Sequence, residues 1–142
     1  MSSRHVGMAL ITLVMVCAFA ALSSAVEPHA GMLRNPDVSA THIVFRYAND
    51  LWLVPRDGGV AVPLASPPGA ESFPRFSPDG TVIAFLGNYD GNRDIYTIPV
   101  SGGTPFRVTH HPSAEIVSGW TPDGRIIFSA WGMGSNPNAM EL

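Results

Sequence analysis

Apolar residues in this chain gather into short blocks divided by turn-forming residues, and the blocks repeat. Ile43-Val44-Phe45, Val82-Ile83-Ala84-Phe85 and Ile126-Ile127-Phe128 are three such runs. Runs of this length, rich in β-branched and aromatic residues and bounded by turn signals, predict strands. Downstream of the first two, Asp50-Leu51-Trp52, Val54-Pro55 and Gly58-Gly59 reappear as Asp94-Ile95-Tyr96, Ile98-Pro99 and Gly102-Gly103, each displaced by 44 positions.

The second copy shows what each residue type does. It predicts strands over 71–76, 81–86 and 94–100 and an outer strand over 105–109. Ser77-Pro78-Asp79-Gly80, the polar stretch 88–92 and Ser101-Gly102-Gly103 are the turns between them. Pro presets φ at the first corner, Asp bonds its own backbone two residues on, and Gly permits positive φ before the next strand. The third copy keeps that turn as Thr121-Pro122-Asp123-Gly124, then loosens into an expected loop over 132–138. In the first copy the turn is Ser39-Ala40-Thr41-His42, two residues tighter and without the Pro-Asp-Gly corner, as expected of a terminal repeat.

Four antiparallel strands at a period near 44 predict an all-β fold of the β-propeller type, one blade per repeat. The expected blades are 31–66, 70–110 and a truncated 115–142. A propeller needs at least four blades to close, so two and a half are expected to be part of a larger ring. Glu141-Leu142 falls where Asp94-Ile95 would recur, which predicts a chain continuing into a longer protein.

The N-terminus changes the picture of location. Arg4, the apolar stretch 8–21 and Ser23-Ser24-Ala25 read as a secretory signal peptide over 1–25. The competing reading is a retained membrane anchor, disfavoured because small residues close the segment where an anchor would carry basic flanks. Cys17 follows Val16, a poor fit to a lipoprotein cleavage site. The expected product is exported, periplasmic or secreted, without membrane attachment. It has no cysteine and carries seven arginines against eleven acids, a net of −4. That balance argues against nucleic acid as a partner.

Phe76-Ser77-Pro78-Asp79-Gly80, the following apolar strand, Asp94-Ile95-Tyr96, Pro99, Gly102-Gly103 and Arg107-Val108-Thr109 resemble the blade motif of TolB-type propellers. Asn35-Pro36-Asp37-Val38-Ser39, Tyr47-Ala48-Asn49-Asp50-Leu51-Trp52, 71–76 and Gly119-Trp120-Thr121-Pro122-Asp123-Gly124 are similar to the opening of tricorn-type proteases and their bacterial homologues, over about 31–142. That resemblance implies a six-bladed N-terminal propeller, then a seven-bladed one, a PDZ-like domain and a serine-peptidase core on the same chain. It further implies short peptides as substrates and propellers that filter them. The implied catalytic residues lie beyond position 142, so none is expected here. Archaeal members of the family are cytosolic, so export is expected from the N-terminal segment alone. Homo-oligomerisation is left open. The alternative is a non-enzymatic periplasmic TolB-like interaction propeller, disfavoured because that family places an α/β domain between signal and blades. A third reading is a prolyl-oligopeptidase relative.

The residues agree that catalytic machinery is not to be expected. No Gly-x-Ser-x-Gly elbow occurs. His110 and His111 are adjacent, so on an extended chain they point to opposite faces and make a poor metal clamp. Asp90, Asn92 and Asp94 have the alternation of a calcium loop, but Ile95 and Ser101 stand where that loop wants Gly and Glu. No metal or cofactor is expected. Asp79 and Asp123 are read as turn residues, and Trp52, Tyr96 and Trp120 as packing between sheets. Arg34, Arg46 and Arg75, assigned to inner strands, are the candidates to line a channel and bind peptide carboxylates bidentately.

Overall fold

A computed structural model of the chain describes residues 30–65 and 68–130, so the expected signal segment, the loop over 132–138 and Glu141-Leu142 lie outside the described residues. After a short 3-10 turn at Ala30–Met32 come β1 (Arg34–Val38), β2 (His42–Tyr47), β3 (Asp50–Pro55) and β4 (Val62–Ala65), an antiparallel sheet in chain order. A second sheet repeats the arrangement with β5 (Ala70–Phe76), β6 (Val82–Asn88), β7 (Asp94–Pro99) and β8 (Phe106–Arg107). In a third, β9 (Glu115–Trp120) pairs with β10 (Ile126–Ala130). The fold is all-β, with each four-stranded meander forming one blade.

The second blade is sandwiched between the other two, because β5 packs against β1, β2 and β3 on one side and β9 on the other. Alternate residues of a strand point to opposite faces, and the two faces of this blade feed two cores. Ile83 and Phe85 on β6, with Tyr96 and Ile98 opposite them on β7, pack toward Val44, Leu51 and Leu53 of the first blade. Ala84 and Ile95 pack toward Val117, Trp120, Ile126 and Phe128 of the third. With both faces covered, β6 is buried almost without interruption, whereas β2 is buried only at Val44.

The turns work as the residue chemistry demands. The Ser77 hydroxyl accepts the Val82 N–H at 3.0 Å and donates to Asp79 at 2.6 Å, while Asp79 also takes the Thr81 N–H at 3.1 Å. These bonds, the one from Ser77 first, hold the Asp79 carboxyl below its usual range. Gly80 and Gly124 close their turns at φ of 71° and 88°. In the first blade Ser39 Oγ accepts the His42 N–H at 3.0 Å, which closes the shorter turn without Pro-Asp-Gly.

Two features depart from the expected strands. The outer strand β8 is confined to Phe106–Arg107, shorter than 105–109. The cause is Thr109, whose hydroxyl takes the Ile95 N–H at 2.9 Å in place of a backbone carbonyl and ends the ladder. The inner strands also carry bulges. Asn35-Pro36 and Phe73-Pro74 each fall at a register shift where two residues occupy the space of one, and Ser118 is skipped in the pairing of β9 with β10. A bulge accommodates a proline that a regular ladder would refuse. Asn35 and Phe73 both take positive φ there, 49° and 51°, values at which a bulky side chain is strained.

Candidate functional site

The blades are stitched together by side chains that cross the seams. Asp37 of β1 accepts the Phe76 N–H at 2.7 Å, and Trp120 of β9 donates its indole N–H to the Arg75 carbonyl at 2.9 Å. Glu71, fully buried at the start of β5, accepts the Leu51 N–H at 2.8 Å and the Tyr89 hydroxyl at 2.5 Å. One carboxylate therefore ties the first blade to the second. The device recurs 44 residues on, where buried Glu115 accepts the Thr109 hydroxyl that itself holds the Ile95 N–H. Burial raises the carboxyl pKa of both, against the pull of these hydrogen bonds; Asp50 adds to the rise at Glu71 and Asp94 at Glu115. Burial and the bond to Glu71 push the Tyr89 phenol up as well. The sequence contained the signal in Ala70-Glu71 and Ala114-Glu115, but a pattern of apolar and polar positions does not foresee a buried carboxylate.

The carboxylates of Asp90 and Asp94 are answered by a guanidinium. Arg107 reaches Asp94 at 2.5 Å and Asp90 at 3.3 Å, and the Asn92 amide donates to Asp94 at 3.1 Å. Asp94 is fully buried. Arg107→Leu is expected to cost about 2 kcal/mol by leaving that carboxylate without its cation, read as a lower midpoint in urea unfolding; an unchanged midpoint would show the pair to be dispensable. Among the described residues no group of three or more His, Cys, Asp or Glu is placed to hold a metal ion.

The proposed channel arginines part company. Arg34 lies directly opposite Arg46 in the pairing of β1 with β2, and both line one cavity of 190 Å³ with Met32, Ala48 and Asn49. Like charges directly opposite one another destabilise a sheet. Arg46 also lines a second cavity, of 130 Å³, with Ser72, Phe73, Asn88 and Arg93, so the two cavities meet at its side chain. Arg75 joins neither of them. Its guanidinium donates to the Pro74 carbonyl at 2.8 Å and to the Ser118 carbonyl of β9 at 3.4 Å, which makes it part of the seam.

The sequence singles out neither Asn88, which opens the polar stretch 88–92, nor Arg93, which follows it. The side-chain oxygen of Asn88 is nonetheless buried without a hydrogen-bond partner, a condition that costs about 1–3 kcal/mol when left unmet. Two further cavities lie between corresponding turns of neighbouring blades: one of 550 Å³ between Ser39-Ala40-Thr41 and Ser77-Pro78-Asp79-Gly80, and one of 380 Å³ between the latter turn and Pro122-Asp123-Gly124. The first holds Arg56 among turn residues and the second is walled by Trp120, Pro78 and Pro122.

The family model described as the tricorn protease N-terminal β-propeller domain matches residues 30–142. The chain belongs to this family. A curated relative, tricorn protease homolog 1 of Streptomyces coelicolor, is 38% identical over 59 residues, which are 42% of this chain and 6% of the relative. The solved tricorn protease superposes with a TM-score of 0.61 at 29% identity, covering 69% of this chain and 11% of that one. TolB from Acinetobacter baumannii superposes at 0.60 with 26% identity over 72% of this chain and 28% of its own. Putative TolB from Agrobacterium tumefaciens does so at 0.53 with 26% identity, over 70% and 35%. This tricorn-type propeller chain thus spans a small part of the proteins it matches, and its sheets are blades of a β-propeller.

Proposed function

We propose that this chain is the N-terminal propeller region of an exported tricorn-like serine peptidase, in which the propeller binds and gates short peptides on their way to or from the peptidase core. The match to the tricorn N-terminal propeller over 30–142 carries this reading, supported by the curated relative named as a tricorn protease homologue. The signal-like segment before the first blade supports export to the periplasm or beyond. Peptides are the partners that the paired guanidiniums of Arg34 and Arg46 would meet, through charge-assisted bonds to carboxylates.

The whole reading frame that encodes this chain provides the test. Its product is expected to hydrolyse short peptides, and Arg34→Ala is expected to lower kcat/KM for peptides with a free C-terminus by roughly tenfold, the scale of one lost charge-assisted hydrogen bond. Unchanged turnover would remove Arg34 from the gate. A second reading, a non-enzymatic TolB-like interaction propeller, is favoured by the two TolB structures. A reading frame that stops after six blades with no peptidase core would decide for it.

A further inference from the structure

The two seams carry corresponding cavities of different chemistry. At the first, Arg56 lines the space together with Asp37 and Asp79. At the second the acids are Asp79 and Asp123, and no basic side chain of the described residues lines the space. The repeat accounts for the difference: Val100 stands 44 positions after Arg56 and packs instead against the core of the first two blades. The aromatic position changes as well. Phe76 is buried at the first seam, whereas Trp120, 44 residues on, is half-buried and lines the second cavity with Pro78 and Pro122.

This second cavity has a wall fixed in advance. The Trp120 indole N–H is tied to the Arg75 carbonyl at 2.9 Å, and the ring packs against Ala84, Ile95 and Val117. Asp79 and Asp123 are exposed. Hydrogen bonds, from Ser77 first at Asp79 and from Thr121 first at Asp123, hold both carboxyls below their usual range, so both are anionic at neutral pH. Arg125 meets Asp123 through one Nε at 3.1 Å with both side chains exposed, a pairing that another cation can displace.

An aromatic wall beside carboxylates selects a cation. A guanidinium fits better than an ammonium, because it is planar, stacks on an indole, offers N–H groups at its edge to a carboxylate and sheds water more readily. At 380 Å³ the space admits such a side chain with part of the backbone that carries it, and the two prolines give its stem an apolar bed.

We propose that the cleft of Trp120, Pro78, Pro122, Asp79 and Asp123 binds an arginine side chain presented on an extended segment of a partner polypeptide. The site goes beyond the peptide gate and shares no residue with Arg34 or Arg46. It receives from outside, at the second seam, the kind of cation that Arg56 supplies from within the chain at the first.

Proton–nitrogen correlation NMR of the protein, titrated with N-acetyl-Ala-Arg-Ala-amide and with its neutral citrulline counterpart, tests it. Both ends of each probe are blocked, so a site for free carboxylates does not contribute. The arginine probe is expected to shift the indole N–H signal of Trp120, assigned by its disappearance in Trp120→Phe, and to bind at least roughly tenfold more tightly than the citrulline probe. Asp123→Asn, at an exposed side chain, is expected to remove most of that preference while the spectrum away from the third blade stays unchanged. Equal binding of the two probes overturns the site, as does the absence of binding. Arginine binding that leaves the Trp120 indole unmoved, or that survives Asp123→Asn, also overturns it. None of these outcomes bears on the gate, which is judged by peptide turnover in Arg34→Ala.

Discussion

Phe85→Ala is expected to lower the free energy of unfolding by about 3–5 kcal/mol, the largest loss expected from a single apolar truncation among the described residues. Phe85 is fully buried on β6 and stacks on Tyr96 with ring centroids 6.0 Å apart, within the core shared by the first two blades. Neighbouring strands fix the backbone on both sides, so the cavity left by the ring has little scope to collapse. Phe106, 71% exposed on the outer strand, supplies the contrast: Phe106→Ala is expected to change stability by no more than about 0.5 kcal/mol. Urea unfolding of the two variants against the parent measures both. A loss below about 1 kcal/mol for Phe85→Ala would mean that the two blades do not share one core.

The contrast between those two phenylalanines also shows what the sequence can and cannot reveal. The run Val82-Ile83-Ala84-Phe85 announces a strand, and Ser77-Pro78-Asp79-Gly80 and the polar stretch 88–92 place the turns before and after it. Local chemistry decides both features, so both are legible. The bulges are not. Asn35-Pro36 and Phe73-Pro74 insert one residue into each inner strand, and because side chains alternate, a single insertion moves every later residue to the other face. Arg34 precedes its bulge and Arg75 follows the corresponding one. Sequence position assigns both to inner strands, yet Arg75 lies at the seam, whereas Arg34 lines a cavity with Arg46 of β2. The residue that corresponds to Arg34 in the second blade is Ser72, which lines the neighbouring cavity. Asn88 and Arg93 escape notice for a related reason: a polar residue beside a hairpin turn carries no signal of its own, and only the approach of the neighbouring blade gives them a cavity.

Glu71→Ala is expected to destabilise the chain by about 2–5 kcal/mol, because it leaves two donors, the buried Leu51 N–H and the half-buried Tyr89 hydroxyl, without an acceptor. Glu71→Gln retains one acceptor oxygen and is expected to cost less, roughly 1–2 kcal/mol. The two variants separate loss of the seam from loss of the charge, and pH separates them further. Burial raises the folded-state pKa of Glu71 above the ordinary carboxyl value of 4.5. A carboxyl whose pKa is higher in the folded state favours folding most below the unfolded value, and that contribution is lost as pH rises through the folded one. Stability from this group therefore falls from about pH 4.5 upward until the folded carboxyl has ionised, and Glu115 acts in the same direction. Asp79 and Asp123 act oppositely: their lowered values favour the folded state above 3.8 and withdraw that support only in stronger acid. A Tm profile from pH 4 to pH 8 is expected to decline across that window in the parent and to decline less in Glu71→Gln, which holds the site in a neutral form at every pH. Parallel profiles for parent and variant would show that Glu71 does not titrate in the seam, and the blades would then be joined by a carboxylate that stays charged.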